Sequence, residues 1–333
     1  MTVPTNAVQT FAQVGIREAL SDVITNISPT ETPFYSMCRK GTTKSRTPEW
    51  LKDSLRAPSP TNAAVEGDDV TGSSMAQPSR LKNVVQLFDD TVVVSDTARS
   101  VETAGRQDEL KYQVAKTGQA LKRDVEMRLC GNYASVLGNA STAGQLGGAE
   151  SWLTTNDSRG SGGSDGGFNS GTGLTVAATD GTPRTYTETL LKAVIKSAWE
   201  AGGEPTIVMM AGGKKQTAST FAGIAQQTNE VNGQNRVVVY GATDIYKSDF
   251  GQHRLVPNRF IGAGTGRSAA SNDLYAGLSA LVLTPNTWEV KFLQPWTTTP
   301  LARTGHAEKR LLKAELTLVC KDEAANGVVA DLS

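Results

Sequence analysis

Residues 102–131, ETAGRQDELKYQVAKTGQALKRDVEMRLCG, constrain the fold more than any other segment. Leu110, Val114, Leu121, Val125 and Leu129 fall on one stripe of a helix, acids gather near its start, and Gly131-Asn132 supplies a stop. At ~1.5 Å per residue such a helix is on the order of 40 Å long, more than a small domain is wide. The pattern predicts a strut with one apolar face, and that face must be covered by other elements.

Two further segments offer apolar surface with no local core to receive it. Ile16, Leu20, Val23 and Ile27 recur with a 4-3-4 spacing that lines one face of a helix, with Arg17, Glu18 and Asp22 off the stripe and Ser28-Pro29 at its end. The partner of that face is expected to be distant in the fold or on another chain. Residues 46–57 give a loose strand pattern and 58–80 are dense in Pro, Ser, Thr, Asn, Gly and acid. Residues 81–97 then resume a β-rich run, with Val85/Leu87 and Val92/Val94 at period two. Strand, polar tip and strand predict a long projecting hairpin, which needs a surface to lie on because a two-stranded ribbon is marginal in water. The alternative is an ordinary surface loop between two sheet strands.

The remainder mixes helices and strands without a regular βαβ repeat. Residues 156–186 are rich in Gly and Ser and are expected to be a linker or a long surface loop. Thr185 with Glu188 matches a capping box for a helix carrying Leu190, Leu191, Val194, Ile195, Ala198 and Trp199, closed by Gly202-Gly203. A buried strand is expected over 206–211, then a short helix over 213–223 whose Lys214 and Lys215 are solvated. Asp249-Phe250-Gly251 reads as a hairpin turn, and 274–283, 288–294 and 310–320 read as strands. The class is α+β, in two helix-and-sheet lobes.

Composition narrows the function. Lys+Arg and Asp+Glu each number 33, so the net charge is zero, which argues against condensing nucleic acid or binding an anionic membrane through bulk charge. His253 and His306 lie far apart with no second ligand type near either, and Cys38, Cys130 and Cys320 form no C-x-x-C pair. The cysteines are expected to be reduced, buried thiols of a cytosolic product. No window approaches the ~20 apolar residues that span a bilayer, and the N-terminus does not read as a secretory signal. AGGKKQT (211–217) fails as a phosphate loop, since the required first glycine is Val208. The pairs Asp68-Asp69 and Asp89-Asp90 are expected to be solvated, because neighbours on a strand point to opposite faces. Five dispersed tryptophans, Trp50, Trp152, Trp199, Trp288 and Trp296, favour core and interface anchoring over base stacking.

The segments IREALSDVITNISPTETPFYS (16–36), EWLKDSLRAP with VEGDD, DELKYQVAKTGQALKRDVE, SDFGQHRLVPNRF (248–260) and WEVKFLQPWTTTPLARTGHAEKRLLKAELTLVCKDEAANG (288–327) together resemble the major capsid proteins of tailed bacteriophages. The likeness runs in order over most of the chain and departs mainly in the Gly-rich 156–184 region and in the tail phrase KDEAANG (321–327), where the resemblance implies a His near Asn326. It implies the Hong Kong 97-like fold: an N-terminal arm (1–45), an E-loop hairpin (46–97), a P-domain around a long spine helix (98–184 and 285–333), and an A-domain (185–284). It implies a structural protein, not an enzyme, with no cofactor or metal. Such a protein assembles with itself into pentamers and hexamers of an icosahedral head, is made in the host cytoplasm and ends in the virion. Scaffolding, portal and decoration proteins are further implied partners, contact with packaged double-stranded DNA is weak and non-specific, and no membrane is involved.

On this resemblance, Ile16, Leu20, Val23 and Ile27 pack on an adjacent P-domain. Arg56, Glu66, Asp68, Asp69, Arg80 and Lys82 are candidate polar contacts of the E-loop. Gln226, Asn229 and Asn232 are candidates at the A-domain tip, where copies meet around five- and six-fold axes. The rival readings are an encapsulin-like cellular shell, which shares the fold and encloses enzymes, and a hydrolase using Asp68 or His306.

Overall fold

The structure is a computed structural model that describes residues 30–63, 65–67, 69, 75, 77–101, 108–221, 229–230, 237–238, 244–261 and 278–333. Ile16, Leu20, Val23, Ile27, Asp68, Gln226 and Asn232 lie outside the described residues. In chain order the first elements are α1 (Pro33–Met37), β1 (Arg39–Thr42), β2 (Glu49–Lys52), β3 (Ser79–Lys82), β4 (Gln86–Ser95), α2 (Asp96–Ser100), α3 (Glu109–Cys130) and α4 (Ala149–Trp152). Then come β5 (Asp157–Ser158), β6 (Gly167–Asn169), β7 (Leu174–Val176), α5 (Glu188–Glu200), β8 (Ile207–Met210) and α6 (Gly212–Ser219). The last are β9 (Asn229–Glu230), β10 (Val237–Val238), β11 (Ile245–Ser248), β12 (Gly251–Pro257), β13 (Ala280–Leu283), β14 (Trp288–Pro300), β15 (Ala307–Cys320) and β16 (Gly327–Val329).

The strut is α3, 22 residues and about 33 Å long. It is shorter than the 102–131 stretch suggested because Asp108 caps it, its carboxylate accepting the Leu110 N–H at 3.0 Å. Leu110, Leu121, Val125 and Leu129 are buried, with Val114 packed beside them. They face a four-stranded sheet ordered β1-β14-β15-β4. The inward side chains of that sheet alternate as period two requires: Phe88, Val92 and Val94 on β4, and Leu312, Ala314, Leu316 and Leu318 on β15.

This packing corrects the return side of the expected hairpin. Ser79–Lys82 pair antiparallel with Glu49–Lys52, whereas Gln86–Ser95 pair with β15. Burying Phe88, Val92 and Val94 against α3 removes apolar surface that a free ribbon would leave in water. Val85 is buried and Leu87 exposed, so those two do not share a face.

The second lobe is a six-stranded sheet ordered β11-β12-β8-β13-β16-β5. Its central strands are apolar throughout because both faces are covered. Val208, Met210, Ala280, Val282 and Val329 meet Leu191, Val194, Ile195 and Ala198 of α5 in one cluster. The alternate residues Met209, Leu281, Leu283 and Val328 face the core that holds α3. β5 and β16 belong to segments expected in the other lobe, yet they pair into this sheet and join the two lobes through it.

Three local expectations change. Residues 156–186 are no slack linker: they contribute β5 and the β6–β7 hairpin, and bury Asn156, Thr175 and Ala178. The Thr185–Glu188 capping box is absent, since Thr187 is the N-cap and Glu188 is held by Lys192 and the Tyr246 hydroxyl. Lys214 is buried and donates to the Ser333 carbonyl, while Lys215 pairs with Asp244. The expected stop of α5 is present: Gly202, at φ +90°, adopts the left-handed conformation that favours glycine.

Candidate subunit-contact surfaces

The β2–β3 hairpin is anchored at its base. Trp50 donates its indole N–H to the Cys320 carbonyl at 2.9 Å, and its ring lies 5.6 Å from Trp152. Trp152 in turn stacks on Phe168 at 5.7 Å and 3°. Lys52–Asp322 and Glu49–Arg80 ion pairs, at 2.7 and 2.8 Å, close the base at its rim. Beyond it, every described residue from Asp53 to Pro78 is exposed, including Leu55 at 98%, Val65 at 75% and Met75 at 84%. Such apolar side chains on an arm with no core gain burial only from another surface.

The structure separates the predicted E-loop contacts into two groups. Arg56, Glu66 and Asp69 are exposed along the projecting part. Arg80 and Lys82 sit at the base; Arg80 holds Glu49, and the Lys82 stem lies against Gly173. Asn229 is in β9, paired with Val238 of β10. His306, the hydrolase candidate, is exposed with its Nδ1 3.4 Å from Asp96, in a surface ion-pair network with Arg303, Glu308 and Arg99.

A second exposed surface lies on the flank of the six-stranded sheet. Trp199 (52% exposed) and Phe250 (38%) pack ring against ring with centroids 5.0 Å apart, and Ile245 (59%) is exposed on the same β11–β12 hairpin. Ile245 begins β11, the outermost strand of that sheet. The β11–β12 turn is fixed from below: His253 is buried, its Nε2 2.6 Å from Ser248 Oγ and its Nδ1 2.7 Å from the Pro205 carbonyl. Burial holds the imidazole below its usual pKa. An exposed aromatic pair, Trp199 from α5 and Phe250 from the turn, next to the outermost strand among the described residues is a ready contact surface.

Two buried polar clusters that the sequence did not reveal tie distant segments of the body together. The Glu126 carboxylate accepts the backbone N–H groups of Phe34 and Tyr35, each at 2.7 Å, and Asn258 Nδ2 at 2.8 Å. It thereby ties α1, α3 and the segment after β12 together. Burial pushes its pKa up, and those hydrogen bonds oppose the shift. The second cluster centres on Arg159, whose side chain is 4% exposed and lies 3.1 Å from Asp157, 3.4 Å from Asp165 and 3.9 Å from Glu150. Glu150 also accepts the Ser279 hydroxyl at 2.9 Å, and burial raises its pKa to about 7. Cys38, Cys130 and Cys320 are free and buried, as their spacing predicted. No helix among the described residues is long and apolar enough to cross a membrane.

Comparison with known proteins brings these features together. The major capsid protein of Escherichia phage Phieco32 is 35% identical over 124 residues, 37% of this chain. That match spans about a third (35%) of the length of the Phieco32 protein. A solved chain of Mycobacterium phage Bobi covers 95% of this chain and is itself covered to 95%, with a TM-score of 0.57 at 13% identity. The holo-SrpI encapsulin complex of Synechococcus elongatus PCC 7942 covers 98%, is covered to 96%, and has a TM-score of 0.53 at 11% identity. The fold is Hong Kong 97-like, α+β, as the resemblance implied. Residues 3–333 match the family described as SU10 major capsid protein. A projecting hairpin without a core, an exposed aromatic flank and a match over residues 3–333 agree: this chain belongs to the SU10 major capsid protein family, a structural and not an enzymatic one.

Proposed function

We propose that the chain is the wall subunit of a phage head, assembling with itself into pentamers and hexamers of an icosahedral shell that encloses double-stranded DNA. Scaffolding, portal and decoration proteins complete the particle. The carrying observation is the projecting hairpin, exposed at every described residue from 53 to 80 and bearing Leu55, Val65 and Met75. In this reading the N-terminal segment and the hairpin over 49–82 are the arms that reach neighbours, and the two lobes are the rigid tiles. Arg56, Glu66, Asp68 and Asp69 supply polar contacts, and residues 226–235 meet their copies at the ring axes. Heterologous contacts close only if one surface serves rings of five and of six, which bendable arms on rigid lobes permit.

Replacing residues 54–77 with a short Asn-Gly turn, which spares β2 and β3, tests this reading. The expected product is a soluble, folded subunit that forms no shells in electron micrographs. Normal shells would refute the role given to the hairpin. The contents of wild-type particles separate the phage head from the encapsulin-like alternative: nuclease-protected duplex DNA supports the first, enclosed protein cargo the second.

A further inference from the structure

One guanidinium gathers the charge of the Gly/Ser-rich segment. Arg159 is almost wholly buried, with Asp157 3.1 Å and Asp165 3.4 Å from its Nε and Glu150 3.9 Å from a terminal nitrogen. None of its three side-chain nitrogens makes a hydrogen bond, so ion pairing alone holds it. The carboxyls come from α4, from β5 and from the loop that leads toward β6, and three stretches of chain therefore meet at this side chain. Asp180 and Asp331 lie close enough to Glu150 to raise its pKa further, and a second cation, Arg184, is 2.8 Å from Ser158 Oγ.

The charges do not balance when every acid is ionised. Glu150, Asp157 and Asp165 would then set three negative charges against one guanidinium, where Glu150 and Arg159 are both removed from water. The Asp157 and Asp165 carboxyls share a hydrogen bond, which requires that one of them keep its proton. Burial and the Asp165 carboxyl push Asp157 up, and burial raises Glu150 to about 7. Asp165 is half exposed, so the enclosed groups can exchange protons with solvent through it.

The same residues fasten a segment whose strand pairing is short. β5 contributes only Asp157–Ser158, paired with Val328–Val329 at the outermost position of the six-stranded sheet among the described residues. Gly160 donates its N–H to Asp331 at 2.8 Å, Ser164 and Thr179 exchange two backbone bonds, and Thr182 donates to the Ser161 carbonyl. Here the chain passes from α4 into the sheet of the second lobe.

We propose that Glu150, Asp157, Arg159 and Asp165 form a proton-operated clasp, which holds residues 157–182 on the sheet edge in acid and loosens them, in an otherwise folded chain, as its carboxyls ionise. Because the folded-state values lie above the ordinary carboxylate range, the stabilisation is complete below pH ~4 and is lost as pH rises toward about 7. The clasp belongs to the single chain and does not depend on the shell reading.

Amide exchange of the full-length chain between about pH 5 and about pH 8, corrected for the intrinsic pH dependence of exchange, tests it. The amides of Gly160, Ser164, Thr179 and Thr182 are expected to lose at least about tenfold in protection over that range, the equivalent of one pK unit, and to exchange ahead of β14 and β15 at its upper end. The double substitution Asp157→Asn, Asp165→Asn keeps both shapes and leaves Glu150 to pair with Arg159 alone, so its profile should flatten to within about threefold. Asp165→Asn, at the exposed member, should lie between the two and serves in place of a double variant that does not fold. A flat wild-type profile, an unchanged profile in the folded variant, or loss of these amides only together with β14 and β15 overturns the proposal.

Discussion

At the scale of single residues, the decisive groups are buried acids. Glu126 sits one residue beyond Val125 on a helix whose predicted core stripe excludes it, yet it is buried because Phe34, Tyr35 and Asn258 close over it. Those partners are 92, 91 and 132 positions away, so no local pattern discloses them. Glu150 allows a pH prediction. Its folded pKa, about 7, lies above the ordinary carboxylate value, so between those limits the unfolded chain has released a proton that the folded chain retains. The stability from Glu150 is therefore complete below pH ~4.5 and is lost as pH rises to about 7. A Glu150→Gln subunit should lack this fall, so thermal unfolding of the two proteins should converge at low pH and separate toward pH 7 by on the order of 3 kcal/mol. Parallel pH profiles would remove Glu150 from the cluster's energetics.

At the scale of elements, the sequence located the strut helix, the sheet strands and the projecting hairpin, because periods of 3.6 and 2 are written into which residues are apolar. What it misjudged is where the hairpin ends. The register of β2 with β3 extends over four residues, after which the chain leaves the ribbon for the larger sheet. The hairpin then depends on the stack of Trp50, Trp152 and Phe168, whose members come from three elements. Trp50→Ala should loosen the base selectively. Amide exchange over 49–52 and 79–82 is expected to accelerate at least tenfold, about 1.4 kcal/mol, while β14 and β15 keep their protection. Equal acceleration in both regions would mean that Trp50 supports the whole body and not the hairpin alone.

At the scale of the molecule, two lobes are joined through the core that holds α3, to which one face of the six-stranded sheet contributes, and exposed apolar surface is left at the periphery. The Trp199–Phe250 flank is the clearest such surface on the second lobe. Trp199→Glu, which removes the ring contact with Phe250, should lower subunit stability by only about 1–2 kcal/mol and leave the subunit folded. In a shell protein it should nevertheless reduce assembly, read as loss of large particles in sedimentation. Wild-type yields of particles from this variant would show that the flank faces solvent in the shell.

By itself the sequence determined the α+β class, the strut and its apolar stripe, the free buried cysteines, and the orphan apolar segments that pointed to partners outside the chain. Those features follow from periodicity and composition, which are local. Only the tertiary structure decided that Gln86–Ser95 leaves the hairpin for the sheet, that the Gly/Ser stretch is ordered around Arg159, and that Glu126 is a buried tie. The physical reason is the same in each case: burial of a strand, a loop or a charge depends on what distant residues supply as cover and as hydrogen-bond partners, and spacing along the chain carries no record of that.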